Sequence, residues 1–402
     1  MAGWPTVWVL LGRGAGGNFQ MTSLATALGW PYETKHLVYN RFSHCPNLVL
    51  GAAAIGVDRR RSTQLLPPWP DVVIAGSRRS APVARWIRKQ SGGRTRLVHL
   101  MHAQAPLEHF DLIITTPQYR LPARQNVLHN TAPLTRIDPQ RLAAATAEIG
   151  PRFTDLPRPY TALLVGGDSS SFLLDPATAT RLGREVSAQV RADGGALLMT
   201  SSARTPAAAA DALLAAIDCP RHTYRWQAND PQNPYYAFLA LADRFVVTAD
   251  SASLVAEACM MGKPVHIFEW NVRADAQRGI KGVLRRWGEA RDRQPATASR
   301  TLSPSARLYD RLVYLGLIKP ARDFAGYHRA LQARGLVSTL GATADVPVRR
   351  PLDDMERAVN RIRALLAERG APRDLRERGD HRPAPRRAPA PLDLASRSRL
   401  GK

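Results

Sequence analysis

Cysteine is scarce in this 402-residue chain. Cys45, Cys219 and Cys259 stand in unrelated surroundings, which excludes a disulfide scaffold and a cysteine-built zinc site. Lysine is scarce too: six lysines stand among 56 basic residues, and only 33 Asp and Glu oppose them, for a net charge of +23. With Ala and Pro abundant, this arginine excess also looks like a coding bias, so part of the charge carries no function. No run approaches the ~20 apolar residues of a membrane-spanning helix. No basic stretch precedes the short apolar run at residues 7–11, and glycines follow it at once, so a signal peptide is not expected. These absences describe a soluble chain of a reducing compartment, expected in the cytoplasm. The basic surface would tolerate acidic partners. Nucleic acid is nevertheless disfavoured, because aromatic–basic interleaving and nucleic-acid motifs are missing.

An apolar content of 45% excludes wholesale disorder, and the length of 402 residues is that of two to three domains. Apolar runs recur at residues 7–11, 72–75, 97–100, 112–115, 162–165, 196–199, 245–248 and 265–268, each closed by Gly, Pro or Ser. Continuous rather than alternating runs predict strands covered on both faces. With helix-length segments between them, the α/β class follows, and the sheets are expected to be parallel. The Pro-rich, aperiodic stretch 151–159 precedes a fresh strand and glycine loop, so it predicts a linker between two Rossmann-like domains, 1–150 and 151–345. Near the C-terminus, Asp353 with Glu356 has capping-box spacing, and Met355, Val359, Ile362, Leu365 and Leu366 form a helical apolar stripe. Residues 370–402 hold five prolines, nine Lys/Arg and four Asp/Glu without apolar period, the composition of a disordered basic tail.

Three strand ends carry ligand-binding character. Gly12, Gly14 and Gly17 fit the G-x-G-x-x-G fingerprint between a strand and a helix. The second strand is expected at 35–39, and no acidic residue ends it. Arg41 would suit a 2′-phosphate instead, so an NADP-dependent oxidoreductase is one alternative. A glycine turn needed only for close helix–strand packing is another. The second loop, Gly166-Gly167-Asp168-Ser169, offers backbone and hydroxyl donors suited to phosphate, and it lacks the Walker G-K-[ST]. The third runs from strand 245–248 through Asp250 and Ser251 into a helix over 252–261, stopped by Gly262 and Pro264. Asp250 or Ser251 is its natural N-cap. Glu257, two turns on, faces the same side as Asp250, where a carboxylate could accept two ribose hydroxyls. Segments 200–206 and 233–236 add Ser201, Arg204, Asn233 and Tyr235 at ends of the same half. Ligands of open α/β sheets bind outside the carboxyl ends of the strands.

The motifs Asn233-Pro234-Tyr235, Leu241-Ala242-Asp243, Thr248-Ala249-Asp250-Ser251, Glu257-Ala258 and Gly262-Lys263-Pro264 together resemble the signature of the mitochondrial-fission ELM (elongated mitochondria) family. Gly12-Arg13-Gly14 with Asn18 and Gln20, Pro68-Trp69-Pro70-Asp71, Phe110-Asp111-Leu112 and Arg204-Thr205-Pro206 support the likeness, which spans about residues 4–270. The chain departs from the pattern at Pro117-Gln118-Tyr119 and at Ser202-Ala203. The family is similar in layout to GT-B glycosyltransferases. That resemblance implies two facing Rossmann-like domains, a helix over 346–369 that crosses back to the first, and a nucleotide sugar as substrate, with no further cofactor and no metal. It places the sugar nucleotide on Gly166, Gly167, Ser169, Ser201, Arg204, Asn233, Tyr235, Asp250, Ser251 and Glu257. The acceptor, lipid-linked at an anionic membrane surface, would meet the loop of Gly12, Arg13, Gly14, Gly17, Asn18 and Gln20. For Asp250, repulsion from phosphate predicts helix capping rather than ligand contact. Base candidates are His99, His102, Glu108, His109 and Asp111. The plant member's adaptor role in fission implies a non-catalytic alternative.

Overall fold

The computed structural model describes residues 4–169, 171–270, 304–315, 317–318, 322–342 and 352–367. The expected tail at 370–402 and the junction at 346–351 lie outside them. Two six-stranded, all-parallel sheets form the framework. The first is built from β1 (Val7–Leu11), β2 (Tyr32–His36), β3 (Val72–Ala75), β4 (Arg96–Leu100), β5 (Leu112–Thr115) and β6 (Val127–His129), in the order β2-β1-β3-β4-β5-β6. The second contains β7 (Tyr160–Leu164), β8 (Ala196–Thr200), β9 (Arg221–Tyr224), β10 (Arg244–Thr248), β11 (Val265–Phe268) and β12 (Ser338–Thr339), in the order β12-β11-β10-β7-β8-β9. Counted within its own half, the second sheet has the dinucleotide-binding order 3-2-1-4-5-6.

All eight continuous apolar runs form strands. The central ones are buried end to end, as in β1 and β7, because helices cover both faces. The four further strands lie toward the sheet margins and carry polar residues. β2 occupies 32–36 rather than 35–39, pairing Leu10 with Lys35. There Lys35 is buried, its ammonium 4.2 Å from the Trp8 ring centroid. Arg41 therefore falls five residues beyond the strand, its guanidinium against the Phe42 ring, which removes the support for a 2′-phosphate site.

Helix α1 (Ala15–Leu28) follows β1, and α2 (Asn47–Leu50) and α3 (Ser80–Gln90) complete the early helices. Next come α4 (Pro139–Ile149), α5 (Pro176–Ala192), α6 (Ala207–Ala216), α7 (Tyr235–Leu241) and α8 (Ala252–Met260). The later ones are α9 (Pro304–Tyr314), α10 (Phe324–Ala333) and α11 (Asp354–Ala367). Caps follow the sequence: Asp138 and Asp175 accept from Gln140 and Thr178 N–H groups, each with Pro next at N1.

Each sheet has a core on either face. Ala358, Val359, Ile362 and Leu365 of α11 pack with Leu24, Ala25 and Leu28 of α1 on the first sheet. The last helix thus returns to the first domain, as the resemblance implied. Its anchor is Asp354, whose buried carboxylate accepts from the N–H groups of Thr131 (2.8 Å) and Ala132 (2.8 Å). The division expected at residues 150/151 is displaced. Leu142, Ala145 and Ile149 of α4 join the core of the second sheet, so the chain has changed cores before the Pro-rich stretch begins.

Candidate functional site

In a doubly wound sheet the binding crevice opens where strand order reverses. In the first sheet this is between β1 and β3, beneath the loop 12–14 and the start of α1. In the second it is between β10 and β7, beneath the loops after those strands and the start of α8. The fold brings the two crevices together: a side-chain Cβ at Gly16, in the first turn of α1, would stand 3.6 Å from Ser253 Oγ in the first turn of α8. Two helix N-termini, one from each half, thus meet at one place. The first N–H groups of each helix have no intrahelical partner, because Asn18 N–H is the first to reach back in α1 and Val255 N–H in α8.

On the second sheet, Asp250 organises the loops. Its carboxylate accepts from Gly167 N–H (2.9 Å) and the Thr248 hydroxyl (2.8 Å), and pairs with Arg204 at 2.6 Å. Burial pushes this carboxyl above its usual range, while Arg204, Gly167 N–H and Thr248 pull it back. Asp250 therefore braces neighbouring loops; the N-cap position belongs to Ser251, which makes no side-chain capping bond. This corrects the capping role expected for Asp250.

The glycine loop is likewise tied to its neighbours. Gly166 N–H donates to Thr248 Oγ1 (2.7 Å), Asp168 N–H to Arg204 O (2.9 Å) and Ser169 N–H to Phe172 O (3.0 Å). Ser169 Oγ accepts from Ser171 and Phe172 N–H groups. A Cβ at Gly166 would collide with the Asp250 carboxylate. One at Gly167, where φ is +151°, would strike the Arg204 carbonyl. The glycines serve close packing of loops, and the phosphate-facing N–H groups expected here are already occupied. Ser201 is also internal, accepting from Trp226 N–H at 2.9 Å. Arg204 keeps 40% of its side chain exposed beside buried Asp250.

Asn233, Tyr235 and Glu257 form a second cluster. Asn233 Oδ1 accepts from Tyr235 N–H (3.0 Å) at the start of α7. The Tyr235 hydroxyl donates to Glu257 on α8. Burial raises the Glu257 carboxyl, and Tyr235 opposes that rise. Tyr235 itself is pushed far up by burial and by the Glu257 charge. Arg141 lies 3.9 Å over the neighbouring Tyr236 ring.

On the first sheet, Asn18 clamps the loop, accepting from Gly12 N–H (3.0 Å) and donating to Gly12 O (2.7 Å). Arg13 and Gly14 are exposed. Gly17 packs toward Met101, and Gln20 lines a small cavity with Met101, Thr115, Tyr119 and Asn130.

The base candidates do not gather at this crevice. His99 is wholly buried on β4, bonded through Nε2 to Ser77 O (3.2 Å) with its ring edge-on to Phe110. Burial lowers both His99 and His102 to about 4. His102 Nδ1 accepts from Gln104 N–H. Asp111 precedes β5, at the amino end of the strand and so on the opposite sheet edge, tied to Arg88, Arg96 and Leu97 N–H. The half-exposed Glu108 pairs with the Tyr314 hydroxyl and Arg124, and His109, its neutral form favoured by burial, lends its carbonyl to Arg88. Two motif residues are structural as well: Asp243 accepts from Tyr160 N–H (2.7 Å), and Lys263 donates to Ala240 O (2.9 Å). Sequence reasoning missed Ser253, whose only signal was a hydroxyl shortly after the Asp250 turn, and it gave Thr248 a place in the family motif but no role at the site.

The description mitochondrial fission ELM1 matches residues 15–300. The chain belongs to the mitochondrial fission ELM1 family. Among relatives, the Arabidopsis thaliana mitochondrial fission protein ELM1 is 29% identical over 245 residues, which is 54% of this chain and 57% of that protein. The chain thus spans little more than half the length of this plant family member. Rickettsia prowazekii (strain Madrid E) has a member, uncharacterized protein RP120, 25% identical over 294 residues, or 65% of this chain and 82% of that one. Of solved structures, the UDP-GlcNAc 2-epimerase of Methanocaldococcus jannaschii aligns over 90% of this chain and 99% of that chain at 11% identity, with a TM-score of 0.46. MurG of Acinetobacter baumannii aligns over 90% and 99% at 13% identity, with a TM-score of 0.37. Among the described residues no helix is long and apolar enough to cross a membrane.

Proposed function

We propose that the crevice binds a nucleotide sugar and that the protein transfers its sugar to an acceptor, lipid-linked, at the cytoplasmic face of a membrane. The observation that carries this reading is the meeting of the α1 and α8 first turns at Gly16 and Ser253. A diphosphate between them would face N–H groups of both helices, each N-terminus worth up to ~2 kcal/mol toward an anion in partly buried geometry. In transfer, the bond from the anomeric carbon to the diphosphate oxygen breaks and the diphosphate keeps the electron pair. An acceptor hydroxyl oxygen bonds to that carbon and yields its proton to a base. The charge gathering on the leaving group is what preorganised donors stabilise, and Arg204 stands half-exposed at the same strand ends to add to them. Glu257, holding the Tyr235 hydroxyl on one oxygen, has lone pairs for ribose hydroxyls. His99 and His102, buried and neutral, are not proposed as the base.

Calorimetric titration of UDP, GDP, CMP and NADP tests the reading. Replacing Glu257 with Ala should weaken the preferred nucleotide by about 10- to 100-fold, the worth of roughly 1.5–3 kcal/mol for a charge-assisted hydrogen bond. Binding of NADP alone, unchanged in E257A, would assign the ligand to the Gly12 loop and overturn it. The plant relative is named a mitochondrial fission protein, and a second reading is therefore a non-catalytic role in fission that retains the crevice, an adaptor at a membrane surface. Nucleotide binding with no sugar release in the presence of membrane extract would favour it.

A further inference from the structure

Between β2 and β3 the chain makes a long excursion from the same sheet edge as the Gly12 loop; a Cβ at Gly12 would touch the Tyr39 ring at 3.4 Å. On it Phe42, Leu48, Val49 and Ile55 are 42%, 50%, 73% and 57% exposed. These are not side chains of a slack loop. Asn47, between them and fully buried, donates to the carbonyls of Arg78 (2.9 Å) and Ala103 (2.9 Å). Arg78 in turn donates to Cys45 O (2.9 Å) and Ser43 O (2.6 Å). Asn40 ties the two limbs together through Gly56 O and Ile55 O. A hydrogen-bonded frame thus holds apolar tips in water, a costly arrangement for a surface with no apolar phase to meet.

The charge along this excursion is predominantly positive. Arg41 lies against the Phe42 ring, and Arg59, Arg60 and Arg61 are exposed. The only carboxylate between residues 37 and 70, Asp58, accepts from the backbone N–H groups of Arg60 and Arg61.

We propose that this excursion docks on an anionic lipid surface, with Phe42, Leu48, Val49 and Ile55 entering the interface and the arginines meeting phosphate headgroups. Such a mix, apolar tips amid cations, matches the two forces that hold peripheral proteins on bilayers. A second copy of the chain fits poorly, because its arginines would oppose these. The proposal stands on these residues and not on the nucleotide reading. It would turn the mouth of the crevice toward the membrane.

The test is sedimentation of the full chain with vesicles of phosphatidylcholine, alone or with about one third phosphatidylglycerol. Binding is expected with the anionic vesicles and should weaken at high salt. The double variant L48S/V49S should lower partitioning by about ten-fold or more, from the loss of apolar transfer. Replacing Arg59, Arg60 and Arg61 with Gln should lower it by about 100-fold, near five-fold for each charge. Exposed positions should leave the melting temperature and nucleotide affinity unchanged, which separates this result from a failure of the crevice. Unchanged vesicle binding in both variants would locate the contact elsewhere, in the basic C-terminal segment, and overturn the proposal. So would a wild-type dimer, without lipid, that L48S/V49S dissolves.

Discussion

Gly16 and Ser253 stand on helices of different sheets' halves, 237 positions apart in sequence, yet a Cβ on the glycine would lie 3.6 Å from the serine hydroxyl oxygen. Each belongs to the first turn of the helix at its sheet's reversal point. This approach brings the two crevices together, and the helix starts that meet there both carry N–H groups without intrahelical partners.

Placing a carboxylate there should separate binding from folding. Gly16→Glu puts a negative charge at the start of α1, where it favours the helix by about 0.3–1 kcal/mol. The same charge repels any phosphate in the crevice. We expect an unchanged or higher melting temperature and a nucleotide affinity lowered by at least about ten-fold, the effect of losing roughly 1.4 kcal/mol. Calorimetry beside a thermal melt checks both halves; equal affinity would remove the diphosphate from between the helices.

Asp250 should matter to stability more than to ligand contact. Asp250→Ala strips Gly167 N–H, the Thr248 hydroxyl and Arg204 of their shared acceptor. Breaking a buried pair of this kind costs about 3–5 kcal/mol, and the partial exposure of Arg204 moves the expectation to the lower end. Urea denaturation should show the midpoint fall with the slope kept. A loss of nucleotide affinity with full stability would instead make Asp250 a ligand contact.

Acid should unfold the protein from near neutrality. His99, His102 and His328 are held at about 4 by burial, against an ordinary value of 6.5. The unfolded chain therefore binds protons that the folded one refuses between those values, and stability rises with pH across that window. It is complete above about pH 6.5 and is lost as pH falls toward 4, by up to about 1.4 kcal/mol per pH unit for each histidine. Melting temperatures from pH 8 to 4 test this; a flat profile would mean that these imidazoles reach water.

The amino-acid order by itself determined the sheets' interior strands. A run such as Val-Trp-Val-Leu-Leu at 7–11 is apolar on both faces, and only a strand covered on both sides can bury it. It determined α11 in the same way, through one stripe with nowhere else to go. It also marked the residues of the second half that gather at the strand ends. Strands rich in polar residues, such as Arg221–Tyr224, were not legible, because pairing to a neighbour, not side-chain burial, makes them strands. Tertiary structure alone decided what the marked residues do. Gly166 and Gly167 look like a phosphate cradle and Asp250 like a helix cap in one dimension, yet each finds its partner on another element more than 30 residues away. Asp111 looks free until Arg88 and Arg96 arrive from two other elements. Hydrogen-bonding groups declare their chemistry in sequence, but whether they are spent on the protein or left for a ligand depends on contacts that only the packed chain supplies.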